Sequence, residues 1–424
     1  MGELSKSREA ALKALVAVDK DGAYLNIALR DILISSGMDE RDKALATTLA
    51  FGATKHKLYI DNIISHLSSV KLKKLSVWIH NILRIGIYSI KFLDRIPVSA
   101  TVNECVRLAR RYGHSSSAGF VNAVLRNSAK KGDFLPEDTS SKEYISIKYS
   151  FPLWLTEKWL MEGYGEEFFS AMNEEPPVTV RLNTLKASLL PDSFEKSNHS
   201  PYSYTYNGGG SAEHTEFFKN GHIAIQDGAS QRAILALDIK KDMSVLDLCS
   251  APGGKTAFMA QLLENTGSVV SCDIHPHKLE LIKANIERLG VKNATVLLND
   301  ATVLREDFAD RFDRVLCDVP CSGLGVLRRK PDIKWTKSEE ANDELVEIQR
   351  QILDCGARYV KKGGKLMYST CTVNKSENED NVQHFLETHG DFSLIPEPGC
   401  PFGRQLLPHK DGTDGFFYAV FERK

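Results

Sequence analysis

No run of about 18 consecutive apolar residues occurs in the 424-residue sequence, which excludes a helix crossing a bilayer as one continuous apolar span. The first residues, Met1 to Lys6, are polar and carry no apolar stretch of the secretory type. The expectation is a cytoplasmic protein with no membrane association. Cysteine is sparse, eight in all, and no C-x-x-C pair exists. Cys317 and Cys321 are four apart with no second Cys/His pair to accompany them, so neither zinc nor another metal is expected. A chain this long needs no disulfides, and the cytosol would keep its thiols reduced. Neither G-x-G-x-x-G nor a Walker A loop is present, and there is no internal repeat.

Net charge is also nearly absent, at −1, but it is unevenly spread. Residues 1–140 carry a net +7 and the remainder −8, and within 51–131 there are 14 Lys and Arg against 3 Asp and Glu. Such a block suits a polyanion, with nucleic acid the obvious candidate. A solvated helical surface is the bland alternative.

Residues 5–130 contain one proline, Pro97, and apolar residues recur at helical spacing, as in Leu12, Leu15-Val16 and Ile79, Ile82-Leu83. Helices with short polar joints predict an all-α bundle over 1–140, with a linker near 132–141. Residues 141–225 read as a small α/β connector: a helix near 154–160, strands near 178–183 and 222–226, and a Ser/Tyr/Asn/Gly-rich loop at 187–213. From 226 to 424 the pattern alternates strand, turn and helix. Strands fall near 245–248, 268–273, 295–299, 314–317 and 365–369, with helices near 255–263, 276–289 and 343–360. That alternation predicts a parallel, doubly wound (Rossmann-like) α/β sheet. The closing GFFYAVFE reads as an antiparallel edge strand.

The segment DLCSAPGGKT closes the first strand of that sheet and opens a helix. Its Gly253-Gly254 pair lets backbone approach a ligand, and the helix start offers free N–H groups. Ser250, Ala251, Pro252, Gly253, Gly254, Lys255 and Thr256 are therefore candidate ligand contacts. The second strand ends in Asp273, placed for ribose hydroxyls, and the third in Asp300, placed for an adenine amino group. A helix N-cap is the competing reading of Asp273.

Two further strand ends carry thiols, in DVPCSG (318–323) and STCTV (369–373). Carboxyl ends of parallel strands share one edge, so Cys321 and Cys371 should face one pocket. Cys272 and Cys317, inside strands, read as packing residues. Asp318 is suited to hydrogen-bond a base edge, and Lys255 to support a ligand or favour a nearby thiolate.

DLCSAPGGKT, DVPCSG and YSTCTVNKSENE together resemble the signature motifs of the RNA 5-methylcytosine methyltransferases. The likeness spans most of residues 150–424. The helical region before it resembles the NusB-like RNA-binding domain, QDGAS at 226–230 also fits, and the combination is similar to the bacterial 16S ribosomal RNA cytosine-C5 enzymes. The resemblance implies a NusB-like bundle, an RRM-like connector and a class I methyltransferase domain. It also implies S-adenosylmethionine as cofactor, held by the residues named above together with Asp318. It further implies Cys371 as a nucleophile on cytosine C6, and Cys321 as the thiol that assists release. The implied partner is 16S ribosomal RNA. No obligate protein partner is evident, and a monomer is expected.

Arg328, Arg329, Lys330 and Lys334, with Trp335, follow Cys321 closely and read as phosphate and stacking contacts; Arg181 and Asn183 are weaker RNA candidates. Rival readings are a tRNA cytosine-C5 methyltransferase, a nicotinamide-dependent dehydrogenase, and a non-catalytic RNA-binding factor. The NusB-like extension disfavours the first, the missing glycine fingerprint the second, and the intact thiols the third.

Overall fold

The computed structural model describes residues 5–338 and 341–424. Helices occupy Lys6–Asp21, Leu25–Ser35, Glu40–Lys55, Lys57–Leu67, Val77–Phe92, Val98–Tyr112 and Ser117–Lys130, as the apolar spacing predicts. Their ends follow local chemistry. Asp39 accepts the Asp42 N–H at 2.8 Å, Ser76 accepts that of Ile79, and Pro97 immediately precedes a helix. Helix 77–92 buries Ile79, Ile82, Leu83, Ile85 and Ile87. Each such side chain contributes roughly 1.5–3 kcal/mol.

The chain divides into two compact units between Glu174 and Glu175, and Arg329–Thr336 groups with the first. The helices Lys142–Tyr149, Leu153–Met161 and Glu166–Ala171 thus belong to the helical unit. The compact unit thus extends past residue 140 and takes in the helix expected to open the connector.

The second unit begins with a small antiparallel sheet of β1 (Thr179–Leu182), β2 (Phe194–Lys196), β3 (Ser203–Tyr206) and β4 (Ile223–Ile225), in the order β2-β3-β1-β4. Strands β2 and β3 lie in the stretch expected to be a loop. Both are short, and their polar residues hide the pattern. Between β3 and β4 there is only a 3-10 turn, Ala212–His214, and the one-turn helix Glu216–Lys219, so the regular structure within 175–225 is mostly strand.

The large sheet contains β5 (Ser244–Asp247), β6 (Ser268–Asp273), β7 (Ala294–Leu298), β8 (Phe312–Asp318), β9 (Val360–Thr370), β10 (Phe392–Leu394), β11 (Arg404–Leu406) and β12 (Phe416–Arg423). Its order is β10-β12-β9-β8-β5-β6-β7, with β11 also on β12. Strands β5 to β9 are mutually parallel, while β12 runs antiparallel to β9. The expected edge strand is interior: β12 pairs with β9 on one side and with β10 and β11 on the other. Its residues 416–421 are all buried, which an edge would not allow. The order reverses between β5 and β8, and ligands bind such sheets at that switch point.

Candidate active site

The turn after β5 is built by its small residues. Ser250 donates its N–H and its hydroxyl to the Cys272 carbonyl, at 2.8 and 2.9 Å, tying the turn to β6. Gly253 has φ +95°, a left-handed conformation a side chain would strain, and its neighbour Gly254 opens the helix Gly254–Leu262. Thr256 turns inward and donates to Asp247 Oδ2 at 2.7 Å. Burial pushes the Asp247 carboxyl up to about 7, and its Oδ1 is buried without a hydrogen bond.

A cavity of about 350 Å³ opens at the carboxyl ends of β5, β6, β7 and β8. Ala251, Asp273, Asp300, Asp318, Cys321 and Cys371, all expected at a site, line it. Ser250, Pro252, Gly253, Gly254 and Thr256 are not among its lining residues; they form the turn and the helix start beside it. Asp273 Oδ1 accepts the His275 N–H at 3.0 Å, and its Oδ2 accepts that of Ala251 at 3.4 Å. The residue thus closes a local turn ahead of helix Pro276–Arg288 without capping it, since His275 holds the N-cap position, and it borders the cavity. Asp300 Oδ1 accepts from Thr302 N and Oγ1 at 3.0 and 2.7 Å. Sequence reading missed the apolar wall of Ile274, Ile348 and Ile352. Ile348 and Ile352 are four apart on helix 341–359, the spacing of one helical face, and that signal was present.

Register brings the thiols together. Asp318 pairs with Ser369 across β8 and β9, so the loops beyond these ends leave side by side. Gly325 N–H donates to the Cys371 carbonyl at 3.0 Å and its carbonyl accepts Gly415 N–H at 2.9 Å; a Cβ at Gly325 would sit 2.0 Å from the Gly415 oxygen. Only glycine permits that approach. Cys321 Sγ and Cys371 Sγ end 3.3 Å apart. Hydrogen bonding to the Cys371 sulfur, then burial, pushes the Cys321 thiol well above the usual range. Asp318 accepts from Lys255 Nζ at 2.7 Å on one oxygen and from Ser369 Oγ at 2.8 Å on the other. Burial alone would lower the Lys255 ammonium; the Asp318 carboxylate outweighs it and the net shift is upward, so Lys255 stays charged. Cys272 and Cys317 are fully buried packing residues.

The expected RNA contacts are mostly turned inward. Arg328 is buried and ion-pairs with Asp414 at 2.9 Å. Lys334 is buried in the helical unit, donating to the Lys55 carbonyl at 2.7 Å and lying over the Phe151 ring, and burial pushes its ammonium well below the usual range. Trp335 donates to the Thr54 carbonyl at 2.8 Å. Arg181 is buried over the Phe258 ring and bonded to Gln226 and Gln261; burial lowers it to about 9. Asn183 donates to the Gly221 and Leu289 carbonyls, both at 2.7 Å. These groups spend their hydrogen bonds on the fold, not on phosphates. Arg329 is half-buried, and Lys330 alone of the six is exposed.

Residues 234–422 match the family described as 16S rRNA methyltransferase RsmB/F, and residues 5–130 match the NusB family. The chain is 37% identical over 98% of both chains to the probable ribosomal RNA small subunit methyltransferase B of Bacillus subtilis (strain 168). It is 32% identical to ribosomal RNA small subunit methyltransferase B of Vibrio cholerae, over 100% of this chain and 99% of that one. The crystal structure of PH0851 matches over the full length of both chains, with TM-score 0.82 and 27% identity. A methyltransferase homolog protein from Pyrococcus horikoshii matches 66% of this chain and 98% of its own, with TM-score 0.59 and 27% identity. Likeness of this extent, joined to two thiols and two acids on one strand edge, shows that the chain belongs to the 16S rRNA methyltransferase RsmB/F family.

Proposed function

We propose that this ribosomal RNA methyltransferase transfers the methyl group of S-adenosylmethionine to C5 of a cytosine in 16S ribosomal RNA, through a covalent bond between Cys371 and C6. The observation that carries the reading is the pair of sulfurs 3.3 Å apart, lining the same cavity as Asp273 and Asp300. The residues fit the donor. Asp273 and Asp300 suit an adenosine, and Ile274, Ile348 and Ile352 give its base an apolar wall. Bound there, S-adenosylmethionine supplies a methyl on a positively charged sulfur.

Cytosine C5 is a poor nucleophile. Addition of the Cys371 thiolate to C6 breaks the C5–C6 π bond and moves its electrons to C5, which then takes the methyl. Asp318, beside Lys255, is placed to hydrogen-bond the base edge as charge moves onto the ring. The C5 proton then passes to water. Its electron pair re-forms the double bond, and the C6–S bond breaks to return Cys371 as thiolate. Cys321 stands 3.3 Å from the departing sulfur, and its S–H stabilises the thiolate that leaves. The target cytosine must be unstacked to expose C6. The NusB-like region favours ribosomal over transfer RNA as substrate, and a cytoplasmic monomer fits that role.

The test separates the thiols. Cys371→Ala removes the nucleophile, so no covalent species should form with substrate RNA. Cys321→Ala should methylate once and then hold the product, giving a slow, nuclease-sensitive band on a denaturing gel. A band with Cys371→Ala alone would reverse the two roles. Full activity in both variants without any band would end the covalent reading.

A further inference from the structure

Beyond the cavity, on the side away from solvent, a carboxylate joins the two thiol-bearing loops. Glu377 is 0% exposed and follows Cys371 by six residues. Its Oε2 accepts the Ser322 N–H at 2.8 Å and Gln349 Nε2 at 2.9 Å; its Oε1 accepts Ser322 Oγ at 2.5 Å and Asn374 Nδ2 at 3.0 Å. Its own carbonyl accepts Tyr368 OH at 2.5 Å. Ser322 is the residue after Cys321, and Thr372 the residue after Cys371. The two hydroxyls are 2.8 Å apart. Gln349 also donates to the carbonyl of Pro320, the residue before Cys321.

A buried carboxylate is costly unless all its lone pairs are used. A loop needing only to be held could do so with an amide or with packing. Here both oxygens are filled by four donors, three of them from residues within three positions of a reactive thiol. The other comes from the helix that also carries Ile348 and Ile352.

We propose that Glu377 is a positioning residue that sets the separation of the Cys321 and Cys371 sulfurs, clamping the loop after β8 to the loop after β9. The claim about spacing stands on geometry alone. Its consequence for catalysis, that release of the product depends on the clamp, rests on the covalent reading above. Glu377 touches no reacting atom, so it should act through the thiols rather than on substrate.

Phenylarsine oxide tests the spacing without RNA. It condenses with two neighbouring thiols, forming two As–S bonds and releasing water with no change of oxidation state. Affinity beyond that remaining in Cys321→Ala and Cys371→Ala measures the bridged pair. Glu377→Gln keeps the shape but loses an acceptor and the charge, and should lower that affinity at least fivefold. Ser322→Ala, which removes the hydroxyl shared with Thr372, should lower it in the same direction. If Glu377→Gln does not fold, as read by thermal melting, Ser322→Ala carries the test. Wild-type arsenical affinity in the folded variants would overturn the proposal, whatever their methylation rate. With substrate RNA, Glu377→Gln should also accumulate the covalent band expected of Cys321→Ala. Lost arsenical affinity with no band in either variant would leave the spacing role standing and count against the covalent route instead.

Discussion

Asp247 ends the first strand of the parallel sheet with one oxygen bonded to Thr256 and the other buried without a partner. Its ordinary value is 3.8, and burial raises it to about 7 in the folded protein. Between those values the native state holds a proton that the unfolded chain has released. The stability this gives is full below the ordinary carboxylate value and is lost as pH rises through about 7. Asp247→Asn is neutral at every pH and should escape the loss. Its stability relative to wild type should rise by roughly 2–4 kcal/mol between pH 4 and pH 8, since each tenfold change in proton affinity is worth about 1.4 kcal/mol. Urea melts at the two pH values measure it, and an equal difference at both would contradict the burial argument. From sequence, Asp247 was part of a motif and no more. That its side chain faces the core, while Asp273 and Asp318 face the cavity, follows from which way each strand end turns, and spacing does not reveal that.

Among the helices, one buried ion-pair network joins three of them. Arg84 of helix 77–92 is buried, with Asp19 of helix 6–21 at 2.6 Å and Asp61 of helix 57–67 at 2.7 Å; His80 adds a contact to Asp61 at 2.8 Å. Burial alone would raise the Asp61 carboxyl, but Arg84 and His80 outweigh it and hold it at about 2. A depressed carboxylate gives stability that is present above its ordinary value of 3.8 and is lost as pH falls through about 2. Arg84→Ala would remove the buried cation the two carboxylates share, leaving Asp19 to Lys57 and Asp61 to His80, at a cost of about 3–5 kcal/mol. Denaturant melts at neutral pH measure it, and the acid-side loss should be smaller in the variant. A cost under about 1 kcal/mol would mean that water replaces the guanidinium. The helices themselves were legible, because their apolar spacing persists over many residues. Strands β2 and β3 were not, being three and four residues long with mixed polarity. For so short a strand, pairing with its neighbours decides the conformation and local pattern does not.

At the scale of the whole chain, the basic first third and acidic remainder still point to RNA, but through different residues from those first chosen. Lys71, Lys73 and Lys74 are exposed, as are Arg95, Arg110 and Arg111, whereas Arg181, Arg328 and Lys334 are buried. Replacing Lys71, Lys73 and Lys74 by Gln should weaken RNA binding and flatten the slope of log affinity against log salt by about 2, near 0.7 per lost single-strand phosphate contact. Filter binding over a salt series tests this. An unchanged slope would remove that segment from the interface. Arg328→Gln, by contrast, should lower stability through the orphaned Asp414 and leave the slope alone.

Local pattern was enough to read the strongly periodic elements, the alternation that makes a parallel sheet, and the placing of Cys321, Cys371, Asp273, Asp300 and Asp318 at strand ends. These are properties of local pattern, and strand ends of a parallel sheet share an edge whatever the rest of the chain does. Long-range packing set the 3.3 Å between the sulfurs, the carboxylate behind them, the inward turn of Arg328 and Lys334, and the interior position of β12. Each of these depends on a partner distant in the chain: Glu377 on Ser322, Arg328 on Asp414, Lys334 on Lys55, β12 on β9. A charge or a thiol has the same appearance in sequence whether its partner is solvent, substrate or a buried carboxylate, and packing is what chooses among them.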